Sequence, residues 1–298
     1  MINYSFIIPH KNIPQLLRRC LNSIPERNDI EIIVIDDNSD KSPINEELIS
    51  QGRRNIKFIY VLENRGAGYA RNKGIEAAQG KWLVFADADD FFTTNIVTVL
   101  KQFAEDSTTD LVYLNAQAID DQRNTSPLPI ETYISNFLNK KLFAEKVLRY
   151  KIWAPWVRMV RHDLVMKNTL KFDEIFVGND AMFSLKCSMY AEKIRCVTNC
   201  VYNYYRPNLG SNTAKYYTQD NLKSILDLYF RINKLYSDVG FPLRCTFLDK
   251  YLALPSQTED QKRYKAQYYS LLEQHNYNRF SDVYHIGIRK LFKLSGLI

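Results

Sequence analysis

The stretch that most constrains this chain is residues 80–92, GKWLVFADADDFF. Trp82 to Ala86 are five consecutive apolar residues, a length and composition that predict a short strand buried on both faces. The run stops at three carboxylates, Asp87, Asp89 and Asp90. Side chains two apart on an extended segment project to the same side, so Asp87 and Asp89 would stand roughly 6 to 7 Å apart along one face. Two like charges that close call for a cation, because repulsion otherwise drives one of them toward its protonated form. Only oxygen donors are present, with neither His nor Cys nearby, and the ion that suits them is Mg²⁺ or Mn²⁺, not zinc. The alternative is a polar turn after a buried strand, where Asp is common.

Other apolar runs place this strand in a larger plan. Tyr4 to Ile8, Ile30 to Ile35, Ile56 to Leu62 and Leu111 to Ala116 read as further strands. Helical spacing over Ile13–Ile24, Ala67–Gln79 and from Asn95 to Asp106 alternates with them. Strands alternating with helices predict a parallel sheet with right-handed crossovers, whose ligands sit beyond the carboxyl ends of the strands. Pro9-His10-Lys11-Asn12, Asp36-Asp37 and Asp87-Ala88-Asp89 each follow a strand directly and should therefore converge on one cleft. A dinucleotide-binding oxidoreductase shares this alternation. However, Gly66 and Gly68 lack a third correctly spaced glycine, and the first strand ends in Pro9, not in a glycine-rich turn.

The run NRGAGYARNKGIEAAQG at 64–80, followed by KWLVFADADDFF, resembles the inverting family 2 glycosyltransferases of the GT-A fold. In that family this helix leads into the strand that ends in the metal-binding DXD motif. The resemblance implies a Rossmann-like, mostly parallel α/β sheet flanked by helices, with Asp87 and Asp89 holding Mg²⁺ or Mn²⁺ on either side of Ala88. It further implies that Pro9, Lys11, Asn12 and Asp37 hold the nucleotide, Asp37 through the base, and that Arg71 approaches the nucleotide or its diphosphate. Lys11 departs from the pattern, since the family usually has an aromatic residue just before that Asn. An ammonium cannot stack on uracil but can meet a phosphate. UDP remains the first choice of nucleotide. Without the resemblance, Asp36-Asp37 reads as a well-bonded turn and Arg71 as a solvated helix charge.

The acceptor side falls over about 118–214. Asp120 to Pro129 is polar and reads as a loop, and Phe137 to Tyr150 has helical spacing. WAPWVRMVRHDLVMKNTLKFDE at 153–174, a Trp followed by a basic residue before a short helix, resembles the family's acceptor region. There Trp153 or Trp156 would floor a sugar ring, the alternative being two core aromatics. Gly178-Asn179-Asp180 looks like the family's GED motif, whose final Asp is the catalytic base, with Asn179 beside the acceptor where an acid is common. The other reading of Asp180 is a helix N-cap. Ile194 to Tyr205 reads as a strand, and YNYYRPNLGSN at 202–212 resembles a closing segment whose Arg, here Arg206, contacts the diphosphate.

At 298 residues with 46% hydrophobic composition the chain can fill a sizeable core. Five scattered cysteines fit reduced thiols, and no stretch approaches the roughly 18 apolar residues of a membrane span. The amino terminus lacks the pattern of a secretion signal. The expected organisation is a catalytic domain over 1–214, with its nucleotide-sugar half at about 1–117, and a helical extension over 215–298. Of the net charge of +7, most lies from Lys215 onward. His285 to Ile298 carries Arg289, Lys290 and Lys293 with no acid, the pattern of a helix resting on an anionic membrane. The function expected is metal-dependent inverting transfer from a nucleotide-sugar donor to a glycan or lipid-linked glycan. The setting would be cytoplasmic or peripheral on the inner face of the plasma membrane, with no nucleic-acid partner. A non-catalytic nucleotide-sugar binder is the alternative, and turnover separates the two.

Overall fold

The structure is a computed structural model that describes residues 1–41, 44–207 and 219–243, with isolated positions beyond them (245, 259, 262, 263, 266, 270, 292 and 296). Its contacts divide the chain into two compact units, Met1–Ser211 and Asn212–Ile298. In the first unit, β1 (Tyr4–His10), α1 (Pro14–Ser23), β2 (Ile30–Asp36), α2 (Glu46–Ser50), β3 (Ile56–Tyr60), α3 (Gly66–Ala77) and β4 (Trp82–Phe85) come first. They are followed by β5 (Phe91–Phe92), α4 (Asn95–Phe103), β6 (Leu111–Ile119), β7 (Thr125–Pro127), α5 (Pro129–Leu138) and α6 (Ala144–Lys151). β8 (Arg158–Arg161), α7 (His162–Lys167), α8 (Ala181–Tyr190) and β9 (Ile194–Tyr205) complete it.

The strands form a sheet in the order β3-β2-β1-β4-β8-β6-β9-β5, with β7 paired to β6. β3, β2, β1 and β4 are all parallel, as the alternation of apolar strands and helices implies. β8 then runs antiparallel to both β4 and β6, and β9 returns parallel to β6. β4 ends opposite Ile7, whereas β1 runs on beside β2 to the pair His10↔Asp36. Successive residues of a strand point their backbone groups to alternate sides. Ile7 O accepts from Ala86 N on the β4 side, and His10 O accepts from Asp37 N on the β2 side, so Pro9 turns its missing N–H toward the side where β4 has already stopped. A proline is therefore tolerated inside a central strand.

The first unit is held by a continuous apolar core. Phe6, Ile7, Ile32, Ile33, Val84 and Phe85 are all fully buried, each such side chain contributing about 1.5–3 kcal/mol of burial before entropy is deducted. α3 seats on β1 and β2 at Gly74, where a Cβ would meet Ile7 Cγ2 at 2.3 Å. At Gly68, a Cβ would lie 2.0 Å from the carbonyl oxygen of Asp173, so only glycine lets the loop before α8 close down on α3.

Two local expectations change. The helix read as one piece over Phe137–Tyr150 is broken between α5 and α6, with Lys140 and Phe143 in the left-handed region at φ 52° and 61°. Asp120 to Pro129 is not all loop, because β7 folds back on β6. In the second unit, α9 (Gln219–Asp238) buries Ile225, Leu228, Tyr229, Ile232 and Tyr236 at helical spacing. The loop residues Gly210 and Ser211 lie outside the described residues. So do most of the helical extension expected after residue 243 and the basic segment 285–298, apart from the isolated positions named above.

Candidate active site

The turn after β4 is held from behind by β9. Asp90 is fully buried; its carboxylate accepts from Tyr202 Oη at 2.8 Å and from Tyr205 N at 2.7 Å. Tyr202 Oη in turn accepts from Asp87 N at 3.0 Å, so one phenol ties both ends of the turn. Burial, and then the charges of Asp87 and Asp89, drive the Asp90 carboxyl well above its ordinary range. Asp89, pushed up to about 6 by burial and then by Asp87, offers its backbone carbonyl to Arg19 Nη2 at 2.5 Å. Ala88 packs into the core between them. Asp90, prominent in the sequence, thus supports the turn, while Asp87 and Asp89 remain partly exposed.

Arg71 joins this turn to the segment before α8. It is 5% exposed, which rules out a solvated helix charge. Its Nη2 donates to Asp87 Oδ1 at 2.5 Å and its Nη1 to Asn179 Oδ1 at 2.9 Å, while the guanidinium lies 5.3 Å from the centre of the Phe172 ring. Phe172 stacks on Phe183 at 3.9 Å, and both pack edge-on to Phe85 at the end of β4. Asp180 stands at the N-terminus of α8, and its side chain makes no capping bond to the helix. Burial raises its carboxyl above the ordinary value, with Arg71 opposing. An aspartate that opens a helix without capping it keeps its oxygens available for other work.

The nucleotide-side clusters converge as the topology requires. His10 Nε2 accepts from Ile13 N at 3.1 Å, so Nδ1 carries the hydrogen and donates to Asp36 Oδ2 at 2.9 Å. Asp36 Oδ1 accepts from Ser39 N at 2.7 Å; burial would raise this carboxyl, but the bonds from His10 and Ser39 outweigh it and the net shift is downward. Asp37 Oδ1 and Oδ2 accept from the N–H groups of Arg65 and Gly66, both at 2.9 Å, capping α3 from outside the helix. Lys11 Nζ donates to the carbonyls of Asp37 and Asn38. Asn12, at φ 57°, accepts from the N–H groups of Asp40 and Lys41 and so fastens the two loops together.

On the other flank Trp156 stacks on Tyr202 and Tyr204 at 5.0 and 5.2 Å. Trp153 is partly buried in the same segment, two residues before Pro155. Arg206 is exposed, with its guanidinium 5.1 Å from the Tyr204 ring centre and its N–H on Ile119 O. Among the described residues no group of three or more His, Cys, Asp or Glu side chains is placed to cage a metal. Sequence reasoning overlooked Tyr202 as the organiser of the turn and took the basic residue after Trp156 only as part of a pattern. That residue, Arg158, is fully buried.

Comparison with known proteins gives three findings. Residues 5–169 match the family model described as glycosyl transferase family 2. EpsH of Bacillus subtilis (strain 168), named as a glycosyltransferase, is 32% identical over 229 residues. The match takes in 71% of this chain but only 63% of that relative's length. Among solved structures, S. aureus TarS 1-349 in complex with UDP-GlcNAc superposes with a TM-score of 0.63 at 17% identity, covering 90% of this chain and 71% of that one. The mannosyltransferase PcManGT from Pyrobaculum calidifontis, in complex with GDP-Man and Mn2+, gives 0.54 at 17% identity, covering 98% and 87%. These likenesses establish the fold as GT-A.

Proposed function

The chain belongs to glycosyl transferase family 2, and from that premise we propose that it moves a sugar from a UDP-sugar to a hydroxyl of a glycan or lipid-linked glycan, with inversion, in the synthesis of surface polysaccharide. The observation that carries this reading is the Arg71 bridge. One guanidinium spans Asp87 and Asn179, which brings the carboxylate turn and Asp180 onto the same cleft. The ligands of the two GT-A neighbours, UDP-GlcNAc and GDP-Man with Mn2+, supply the class of donor.

The donor's base would lie against Pro9 and the Asp37 turn. Each Asp37 oxygen already accepts one backbone N–H and keeps a second lone pair for an imide N–H of uracil. Lys11 and Arg71 supply positive charge on the diphosphate's path, and Arg206, a planar fork on an exposed strand end, would meet the phosphate oxygens. The residues fit a divalent ion. The donors are carboxylate oxygens only, and the upward shift of Asp89 to about 6 reflects a burial and a repulsion that a cation would relieve. When bound by Asp89 and Asp87, Mg²⁺ or Mn²⁺ would stabilise the charge developing on the departing diphosphate. Asp180 takes the proton from the acceptor hydroxyl as that oxygen attacks the anomeric carbon in line, and Asn179 fixes Arg71 beside it. Trp153 and Trp156 would border the acceptor.

Thermal unfolding with nucleotides tests the donor side. UDP with Mn²⁺ should raise the midpoint more than GDP or CDP with Mn²⁺, a saturating ligand at 100 times its Kd being worth about 2.7 kcal/mol. Asp89→Asn should remove the metal-dependent part of the shift. Equal shifts for the three nucleotides would contradict the UDP assignment, and no shift with any of them would contradict the donor site.

A further inference from the structure

Behind the carboxylate turn lies a cavity of about 390 Å³, within the roughly 300–1,000 Å³ range of small-molecule sites. Arg19, Arg123, Asp120 and Asp121 supply its polar wall, and Phe91, Tyr205 and Ile119 its apolar one. It is separate from the cleft of Arg71 and Asp180. The chain passes from β1 through α1 to β2 in one direction along the sheet, and from β3 through α3 to β4 in the other. Right-handed crossovers that run in opposite directions put their helices on opposite faces. Ile7 and Phe85 are paired across β1 and β4; the first meets α3 at Gly74 and the second meets Phe183 of α8, so Arg71 and Asp180 share the α3 face. Arg19 belongs to α1 and to the other face. The one bond that joins the cavity to the turn runs from Arg19 Nη2 to Asp89 O at 2.5 Å.

The polar wall is held in shape and keeps bonding capacity to spare. The Arg19 guanidinium lies 4.7 Å from the centre of the Phe91 ring and 4.4 Å from that of Tyr205, which fixes its plane, and its Nη1 makes no hydrogen bond among the described residues. Arg123, exposed on the turn between β6 and β7 at φ 65°, has no side-chain bond or ion pair among them. The Asp120 carboxylate accepts from Asn124 N at 2.8 Å and Asn124 Nδ2 at 3.0 Å, and Asp121 accepts from Tyr205 Oη. Each acid retains lone pairs beyond these bonds. Two guanidinium groups facing two carboxylates leave no net charge for a simple anion or cation to answer. A neutral polyol gains from both, its hydroxyl oxygens taking guanidinium N–H groups and its hydroxyl hydrogens meeting carboxylate oxygens, while the C–H face of a pyranose suits aromatic and aliphatic surface. We propose that this cavity is a second carbohydrate site, which holds a neutral pyranose unit of a glycan away from the reacting centre. That the pyranose belongs to a glycan rests on the reading of the chain as an enzyme acting on glycans; the match of the cavity to a neutral polyol does not.

The test uses the full chain without donor or metal, so that it reads the cavity and not transfer. Methyl glycosides of glucose, galactose and N-acetylglucosamine are offered at millimolar concentration and followed by saturation-transfer NMR. At least one should bind. In the double variant Asp121→Ala, Arg123→Ala, both changes lying on an exposed turn outside the residues proposed for transfer, its affinity should fall about tenfold or more, the loss expected when charged hydrogen-bond partners are removed. UDP affinity with Mn²⁺ should stay at the wild-type value in that variant, and inorganic phosphate should not displace the glycoside from the wild type. Binding of none of the three glycosides would overturn the proposal. Unchanged affinity in the double variant would place the sugar elsewhere, and displacement by phosphate would make the cavity an anion site; either result also overturns it. Should the double variant not fold, Arg123→Gln alone should weaken the same glycoside severalfold, and an unchanged affinity would count equally against the site. The reading of the chain as a UDP-sugar transferase fails on UDP binding and on transfer, whichever way the glycosides behave.

Discussion

Two helices of the site have an aspartate at their amino-terminal end, and the two are used in opposite ways. Asp37 lies outside α3 and gives both oxygens to the helix's first N–H groups, Arg65 and Gly66. Asp180 immediately precedes α8 in the chain, at the N-cap position, and gives its side chain to none of that helix's N–H groups. Around Asp37, His10, Asp36, Asn12 and Ser39 close a network in which each acid has a donor. Around Asp180 lie a raised carboxyl and the buried Arg71, whose Nε has no partner among the described residues. A fully bonded carboxylate fixes a loop in the shape a ligand will meet, whereas an unbonded one beside cations is poised to take a proton. On the proposed reading, the Asp37 network holds a loop in shape for the donor and Asp180 is left to accept a proton.

Ranked by loss of stability, the substitutions that would break this contrast begin at the seam. Gly68→Ala places a methyl 2.0 Å from Asp173 O and forces α3 away from the loop before α8. The expected cost is about 1–3 kcal/mol or more by denaturant titration, together with weakened metal-dependent UDP binding as Arg71 loses Asn179. Next comes Asp37→Asn, which keeps one acceptor oxygen and turns an amide N–H toward the other backbone N–H. It should cost about 1–2 kcal/mol, and a value near zero would show that the cap of α3 is dispensable.

Acidification sharpens the same comparison. The Asp36 carboxyl is held below its ordinary value, so the stability it contributes is present above the unfolded value near about 4 and is lost as pH falls through the folded value. The gap in unfolding free energy between wild type and Asp36→Asn should therefore narrow below about pH 4. Asp180 has the opposite sign. With its folded value raised, ionising it costs stability as pH climbs above about 4, and Asp180→Asn should gain on wild type over that range. Parallel pH profiles for the two variants would contradict the contrast.

The sequence carried the nucleotide half well, because buried parallel strands are continuous apolar runs. β4 lies within the run Trp82–Ala86, and β1 and β2 begin at Tyr4 and Ile30, where the apolar runs begin. The acceptor half was less legible for physical reasons. β8 is four residues, RMVR, with a charge at each end, and nothing in that pattern announces an antiparallel strand between β4 and β6. The break between α5 and α6 turns on Lys140 and Phe143 at positive φ, where glycine or asparagine would have been the signal. Arg158 looks like any surface charge in the sequence. Its burial depends on the carbonyls of Ile152 and Ser184, which come together only in the fold. Asp180 was found only through its resemblance to a known motif, since the spacing alone also suits an N-cap.

The most direct test of the central claim is Asp180→Asn, measured for stability, nucleotide affinity and transfer in one preparation. Because the aspartate caps nothing, the substitution should cost no more than about 0.5 kcal/mol of unfolding free energy. UDP affinity with Mn²⁺ should be kept, while sugar transfer falls by roughly 10² to 10⁴-fold, the range a positioned general base supplies. A variant that loses about 1 kcal/mol of stability and retains near-normal transfer would show that Asp180 is a cap after all, and the contrast with Asp37 would collapse.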